Sequence, residues 1–184
     1  PLSINAIFPF IAATFAEVPL TQSNEGVAPE FDVWQTYTFN LQDLADDGLD
    51  ISAIDVILIF PAWGTGDGAI YRIDNVRIFD PTNIENYEPG LDDSDYQDEL
   101  VVFQNGNLSG EWSQNGYDQD LGWGSCPSGG CPNLDFGMEY DPAKGRDVMY
   151  IDHGMDNTAQ AGFFLQTPTP YDLRGATVNG KLTF

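Results

Sequence analysis

Trp34-Gln35-Thr36-Tyr37-Thr38-Phe39-Asn40-Leu41 alternates with a period of two: Gln35, Tyr37, Phe39 and Leu41 fall on one side, Trp34, Thr36, Thr38 and Asn40 on the other. Successive side chains of a strand point to opposite faces, so this stretch reads as a strand with one packed face. Residues 53–60 carry Ile54, Val56, Ile57 and Ile59 and read as a strand buried on both faces. Residues 69–79 read as a third, bounded by a Gly-rich turn at 64–68 and by Asp80-Pro81. Residues 41–48 form a short helical turn or loop between the first two. A strand pattern also lies at 3–8, and others follow at 100–104, 147–152, 161–167 and 176–184 with Gly-rich turns between them. Roughly eight strands without a long helix predict an all-β chain, an antiparallel β-sandwich of jelly-roll type.

Composition agrees. The 184 residues, 42% of them hydrophobic, suffice for one domain of ordinary size but fall short of a (β/α)₈ barrel. Nineteen glycines, 12 prolines and a charged fraction of 19% describe a turn-rich β protein rather than a helical or disordered one. Asp and Glu number 29 against 6 Lys and Arg, a net charge of -23, so nucleic acid would be repelled at long range. No apolar run approaches the length of a membrane span, and no basic, apolar leader opens the sequence. Pro1 directly precedes a strand pattern, which points to a start inside a larger polypeptide.

Three segments follow from the patterning: residues 1–80, an acidic linker at 81–99 containing Asp92, Asp93, Asp95 and Asp98, and residues 100–184. The two flanking segments do not repeat one another, and each holds too few strands to close a sandwich alone. Cys126-Pro127-Ser128-Gly129-Gly130-Cys131 is a turn able to bring two sulfurs together, and a local disulfide formed outside the cytosol is the preferred reading. A metal pair and free thiols are the alternatives.

Thr38-Phe39-Asn40-Leu41, Gly48-Leu49-Asp50-Ile51-Ser52, Ile59-Phe60-Pro61-Ala62-Trp63-Gly64 and Tyr71-Arg72-Ile73-Asp74-Asn75-Val76-Arg77-Ile78 resemble the C-terminal half of a carbohydrate-binding jelly-roll module. Such galactose-binding-like modules are appended to extracellular glucanases and agarases of marine bacteria, including exo-β-glucanases. Leu100-Val101-Val102-Phe103-Gln104-Asn105-Gly106 and the Cys126 turn resemble the N-terminal half of the same module. The halves stand in reversed order. Either one jelly roll has permuted connectivity, or the chain is cut out of phase from a tandem array, so that neighbouring copies complete 1–80 and 100–184; incompleteness of the halves favours the array.

The resemblance implies a structural calcium tying the first strand to the last, which points to Asp74 with Asn105 or Asn107 as partners and Asp152 as a further candidate. Calcium suits so acidic a chain. Equally, Asp74 caps a turn or pairs with Arg72 or Arg77. The acidic runs at 46–50 and 92–95 read as solvated loops. For sugar, flat aromatic faces and a few polar groups are needed. Trp112, Tyr117, Trp123 and Tyr140 lie in a Gly/Asn/Asp-rich region that reads as exposed loops, with Trp123 the first choice for a stacking platform. Trp63 reads as packing, and Trp34 as either.

Catalysis finds little support. Carboxylates are too abundant to single out a glycosidase pair. His153 is the only histidine and, at a strand end, reads as a surface or turn residue. The expected function is therefore a non-catalytic, extracellular, calcium-stabilised module that binds a β-glucan or galactan-like polysaccharide as part of a larger protein. The alternative from another class is a structural subunit: tandem calcium-bridged sandwiches forming an extracellular filament or surface layer, with copies of the same module as partners.

Overall fold

The computed structural model describes residues 2–5, 15–61, 66–81, 99–122, 124–126, 130–154, 161–174 and 179–184. In chain order the strands are β1 Leu2–Asn5, β2 Glu17–Pro19, β3 Thr38–Asn40, β4 Ile54–Pro61, β5 Ile70–Ile73, β6 Val76–Phe79, β7 Glu99–Gln104 and β8 Asn107–Leu108. They continue as β9 Ser113–Asp118, β10 Gly124–Ser125, β11 Gly130–Cys131, β12 Leu134–Asp141, β13 Arg146–His153, β14 Ala161–Tyr171 and β15 Lys181–Thr183. The helical turn expected after β3 is α1, Leu41–Asp46. No helix is long and apolar enough to cross a membrane among the described residues.

Among the described residues three antiparallel sheets result, with orders β10-β9-β14-β4-β1-β2, β11-β12-β13-β5 and β3-β15-β6-β7-β8. The chain is an all-β sandwich, as its patterning predicts. Every sheet interleaves strands from before residue 80 with strands from after residue 99. Strands from the two flanking segments are thus neighbours in shared sheets. Nearly all of the linker at 81–99 lies outside the described residues.

Alternation decides what each strand buries. Along β4, Ile57 and Ile59 face the main core with Phe163 and Leu165 of β14, while Val56, Leu58 and Phe60 form a second apolar cluster with Tyr117 and Phe164 on the sheet's other side. This strand is buried on both faces, as its unbroken apolar run suggests. The four-stranded sheet closes the main core from across: Phe136 of β12 meets Phe163 edge to face, with ring centroids 5.4 Å apart. The second cluster depends on a glycine. A Cβ on Gly162 would lie 2.5 Å from Cζ of Tyr117, so the ring lies where a side chain would otherwise stand. Gly162→Ala is expected to cost roughly 1–3 kcal/mol, read as a lowered urea midpoint at unchanged m.

The strand expected at 69–79 is corrected. It breaks at Asp74-Asn75, and its pieces serve different sheets, β5 beside β13 and β6 between β15 and β7. Asn75 adopts φ 54°, a left-handed turn conformation that Asn tolerates, and its N–H donates to Asp74 Oδ1 at 2.9 Å. The region carrying Trp112, Tyr117 and Tyr140 is also more ordered than a set of loops: β9 and β12 run through it.

Candidate functional site

The outer face of the four-stranded sheet is a polar surface built by three paired strands. On β12, Leu134 and Phe136 turn inward, which leaves Asp135, Gly137 and Glu139 outward; on β13, Met149, Ile151 and His153 turn inward and Tyr150 and Asp152 outward. Tyr71 and Ile73 of β5 are inward, with Ile70 and Arg72 outward. Register then sets two rows across the sheet, Gly137–Tyr150–Arg72 and Asp135–Asp152–Ile70.

Tyr150 is the centre of this face. Its hydroxyl donates to Asp152 Oδ2 at 3.0 Å, and the Arg72 guanidinium carbon lies 5.7 Å from the ring centroid. Arg72 Nη2 also donates to both carboxylate oxygens of Glu139, at 3.2 and 3.1 Å. Partial burial, the bond to Asp152 and the nearby charges of Asp152, Asp135 and Glu139 raise the phenol above its usual range. Beside the ring, the position a Gly137 side chain would take has no atom within 4 Å. The result is an aromatic surface with room next to it, framed by a fixed guanidinium and carboxylates. An exposed pair such as Arg72–Glu139 contributes only about 0–1 kcal/mol to stability, so its consequence lies in what it presents to solvent.

At the far end of the same hairpin, Trp34 Nε1 donates to Asp141 Oδ2 at 3.1 Å, and Lys144 Nζ lies 4.5 Å from the Trp34 ring centroid. Bonds from the Ala143 and Lys144 N–H groups and from Trp34 outweigh partial desolvation and hold the Asp141 carboxyl below its ordinary range. Asp141 and Gly137 are four residues apart on one strand, so the two aromatic positions are separated by roughly 14 Å along it.

The aromatic residues expected to meet sugar are not gathered into one platform. Trp112 is a correction to the exposed-loop reading: it is 5% exposed and stacks on Tyr171 at 5.9 Å with an interplanar angle of 2°. Tyr117 packs on Phe164 on the outward side of β9, and burial raises its phenol pKa. Tyr140 is exposed, at 61%, near the end of β12. Trp123 and Trp63 lie outside the described residues.

Two of the residues expected to hold calcium do converge, but on an arginine. Arg146 donates through Nε and Nη2 to Asp74 Oδ2 at 3.0 and 2.7 Å, and through Nη1 to Asn105 Oδ1 at 2.6 Å. Asn107 Nδ2 donates to the Asn105 carbonyl at 2.8 Å. Asp152 sits at the opposite end of β13, bonded to Tyr150. With a guanidinium engaging Asp74 and Asn105, this donor set does not fit a calcium ion unless Arg146 is displaced. Asp74 also accepts from the Asn75 N–H, the turn-capping role open to it from the outset.

Cys126 and Cys131 form a disulfide with Cα atoms 5.2 Å apart. Asp118, fully buried nearby, braces the adjoining loop by accepting from the backbone of Asp120 and Asn133 and from Asn133 Nδ2, each at 2.9 Å. His153 corrects the surface reading: it is 2% exposed and stacks on Tyr71 with ring centroids 5.8 Å apart. The Tyr71 hydroxyl donates to the Ile59 carbonyl at 2.6 Å, which leaves its oxygen to accept from His153 Nε2 at 3.4 Å.

In comparisons with known proteins, no family model, curated protein or solved structure matches the chain.

Proposed function

We propose that the protein is a non-catalytic, extracellular polysaccharide-binding β-sandwich, and that the outer face of β5, β13 and β12 receives the glycan. The observation that carries this reading is the Tyr150 ring beside the open Gly137 position, with Arg72 and Glu139 locked to one another at its edge. A ring face suits the C–H surface of a sugar, and the guanidinium and carboxylates suit its hydroxyls. A β-glucan or galactan chain, lacking charge, avoids the repulsion that a net charge of -23 imposes on polyanions. The disulfide supports a site of action outside the cytosol. Attached to a larger protein, such a module raises the local concentration of its partner on the substrate. Calcium stabilisation belongs to the same proposal; among the described residues no group of three or more His, Cys, Asp or Glu side chains is gathered as a metal site.

Affinity electrophoresis in gels containing a soluble β-glucan or a soluble galactan tests the reading. Retardation by one of them is expected to weaken about tenfold or more in Tyr150→Ala, with the urea midpoint little changed. Equal mobility of Tyr150→Ala, Arg72→Ala and the unaltered protein in every gel overturns it.

A structural role has one observation in its favour. Phe31 is 92% exposed, with Val27 and Val33 exposed on the same segment, and such a run suits contact with another copy. Calcium-dependent assembly in sedimentation experiments, without retardation by either glycan, would support this alternative.

A further inference from the structure

We propose that Lys181 and Asn40 form an intramolecular amide cross-link with loss of ammonia, assisted by Asp43. Strand register, not the sugar-binding face, brings this pair together. Lys181 of β15 stands directly opposite Asn40 of β3, although 141 positions separate them in sequence. Directly opposed residues bring their Cβ atoms within about 5.5 Å, which places a lysine amine against a short side-chain amide. Lys181 Nζ contacts Asn40 Oδ1, and both residues are half-buried.

Asn40 occupies the position preceding α1, where asparagine ordinarily accepts from a helical N–H; here its side chain makes no capping bond. Its amide is engaged at both ends by other groups. Nδ2 donates to Asp43 Oδ2 at 2.6 Å, and Oδ1 accepts from Asn24 Nδ2 at 3.3 Å as well as from Lys181. With Lys181 turned from Oδ1 toward the carbonyl carbon, the Asn24 amide still polarises the carbonyl, and the Asp43 carboxylate sits on the nitrogen that would leave. These are the parts an acyl transfer to an amine requires: a nucleophile held in place, stabilisation of developing charge on oxygen, and a proton relay to the leaving group. Asn40 and Lys181 are held by the ladder itself, and the Gly180 carbonyl accepts the Leu41 N–H at 2.9 Å, so the two strands stay in register at the reacting pair.

The step balances without an added reactant. One Nζ proton of Lys181 passes to water, the freed lone pair attacks Asn40 Cγ, and the carbonyl π pair moves to Oδ1. Asp43 takes a proton from Nζ and delivers it to Nδ2. As the carbonyl re-forms, the Cγ–Nδ2 bond breaks, NH₃ departs, and a secondary amide joins β15 to β3.

Intact mass of the reduced, denatured full-length chain tests this. The expected mass is one ammonia, about 17 Da, below that of the sequence, with a branched peptide joining Asn40 to Lys181 after proteolysis. Lys181→Arg and Asn40→Ala are each expected to abolish the loss, and Asp43→Ala to leave much of the chain unlinked. A full sequence mass after prolonged incubation of the folded protein overturns the proposal. So does a loss that persists in Lys181→Arg, since that outcome assigns it to a cyclic imide at Asn40-Leu41 instead.

Discussion

Arg146→Met should destabilise the protein by about 3–5 kcal/mol, the range seen when one member of a buried ion pair is removed. The Asp74 side chain is only 2% exposed, and three guanidinium nitrogens of Arg146 reach it and Asn105. Methionine preserves much of the volume but leaves the carboxylate without its cation in a site that water scarcely reaches. A charge so placed costs far more than the pair contributed. Urea unfolding is the direct measurement, and adding Asp74→Asn to the variant should recover part of the loss, because the orphaned charge is then gone. A single-variant effect below about 1 kcal/mol would mean that the pair behaves as a surface contact.

Acid should weaken the fold through His153 before the ordinary carboxylate range is crossed. Burial against Tyr71 lowers its pKa from 6.5 to about 4, against a smaller opposing effect of Asp152. Between those values the unfolded chain binds a proton that the folded chain refuses, so stability is complete above pH 6.5 and declines as pH falls toward 4. The full decline amounts to about 3 kcal/mol. Protonation of the many carboxylates relieves self-repulsion and acts in the opposite sense, so the comparison that isolates the histidine is with His153→Gln. Unfolding free energies at pH 7, 5.5 and 4.5 should converge between the two proteins as the pH drops; parallel curves would place the titrating group elsewhere.

What was legible in the residues depended on how much of the information was local. The run Ile54–Pro61 announces a strand buried on both sides because its apolar positions are unbroken, and the two cysteines announce their bond because so short a turn constrains them. The break at Asp74-Asn75 was harder. Alternation continues across it, and only the Asp-Asn pair, tolerant of left-handed backbone, marks the turn. β12 is not announced by its composition. Leu134, Phe136, Met138 and Tyr140 keep a period of two, but Gly137 and the acidic residues between them resemble loop composition.

The candidate site was hidden for a further reason. Tyr150 and Arg72 each lie inside segments read as strands, yet neither periodicity nor composition states that β13 pairs with β5, or that Gly137 stands opposite the tyrosine. Trp112 shows the converse failure, since neighbours rich in Gly and Asn imply exposure, whereas Tyr171, from the end of a distant strand, covers the ring. Likewise Arg146, not Arg72 or Arg77, partners Asp74 because the fold brings together residues 72 positions apart.

The interleaving of early and late segments bears on how the molecule is made. β15 lies between β3 and β6, so one sheet stays divided until residues 181–183 have left the ribosome. The nascent chain must carry β4, with its two apolar faces, from residue 61 to residue 161 before β14 arrives to pair with it. Pairing between segments so far apart in sequence is expected to slow folding and to leave the apolar faces of β4 exposed in the meantime.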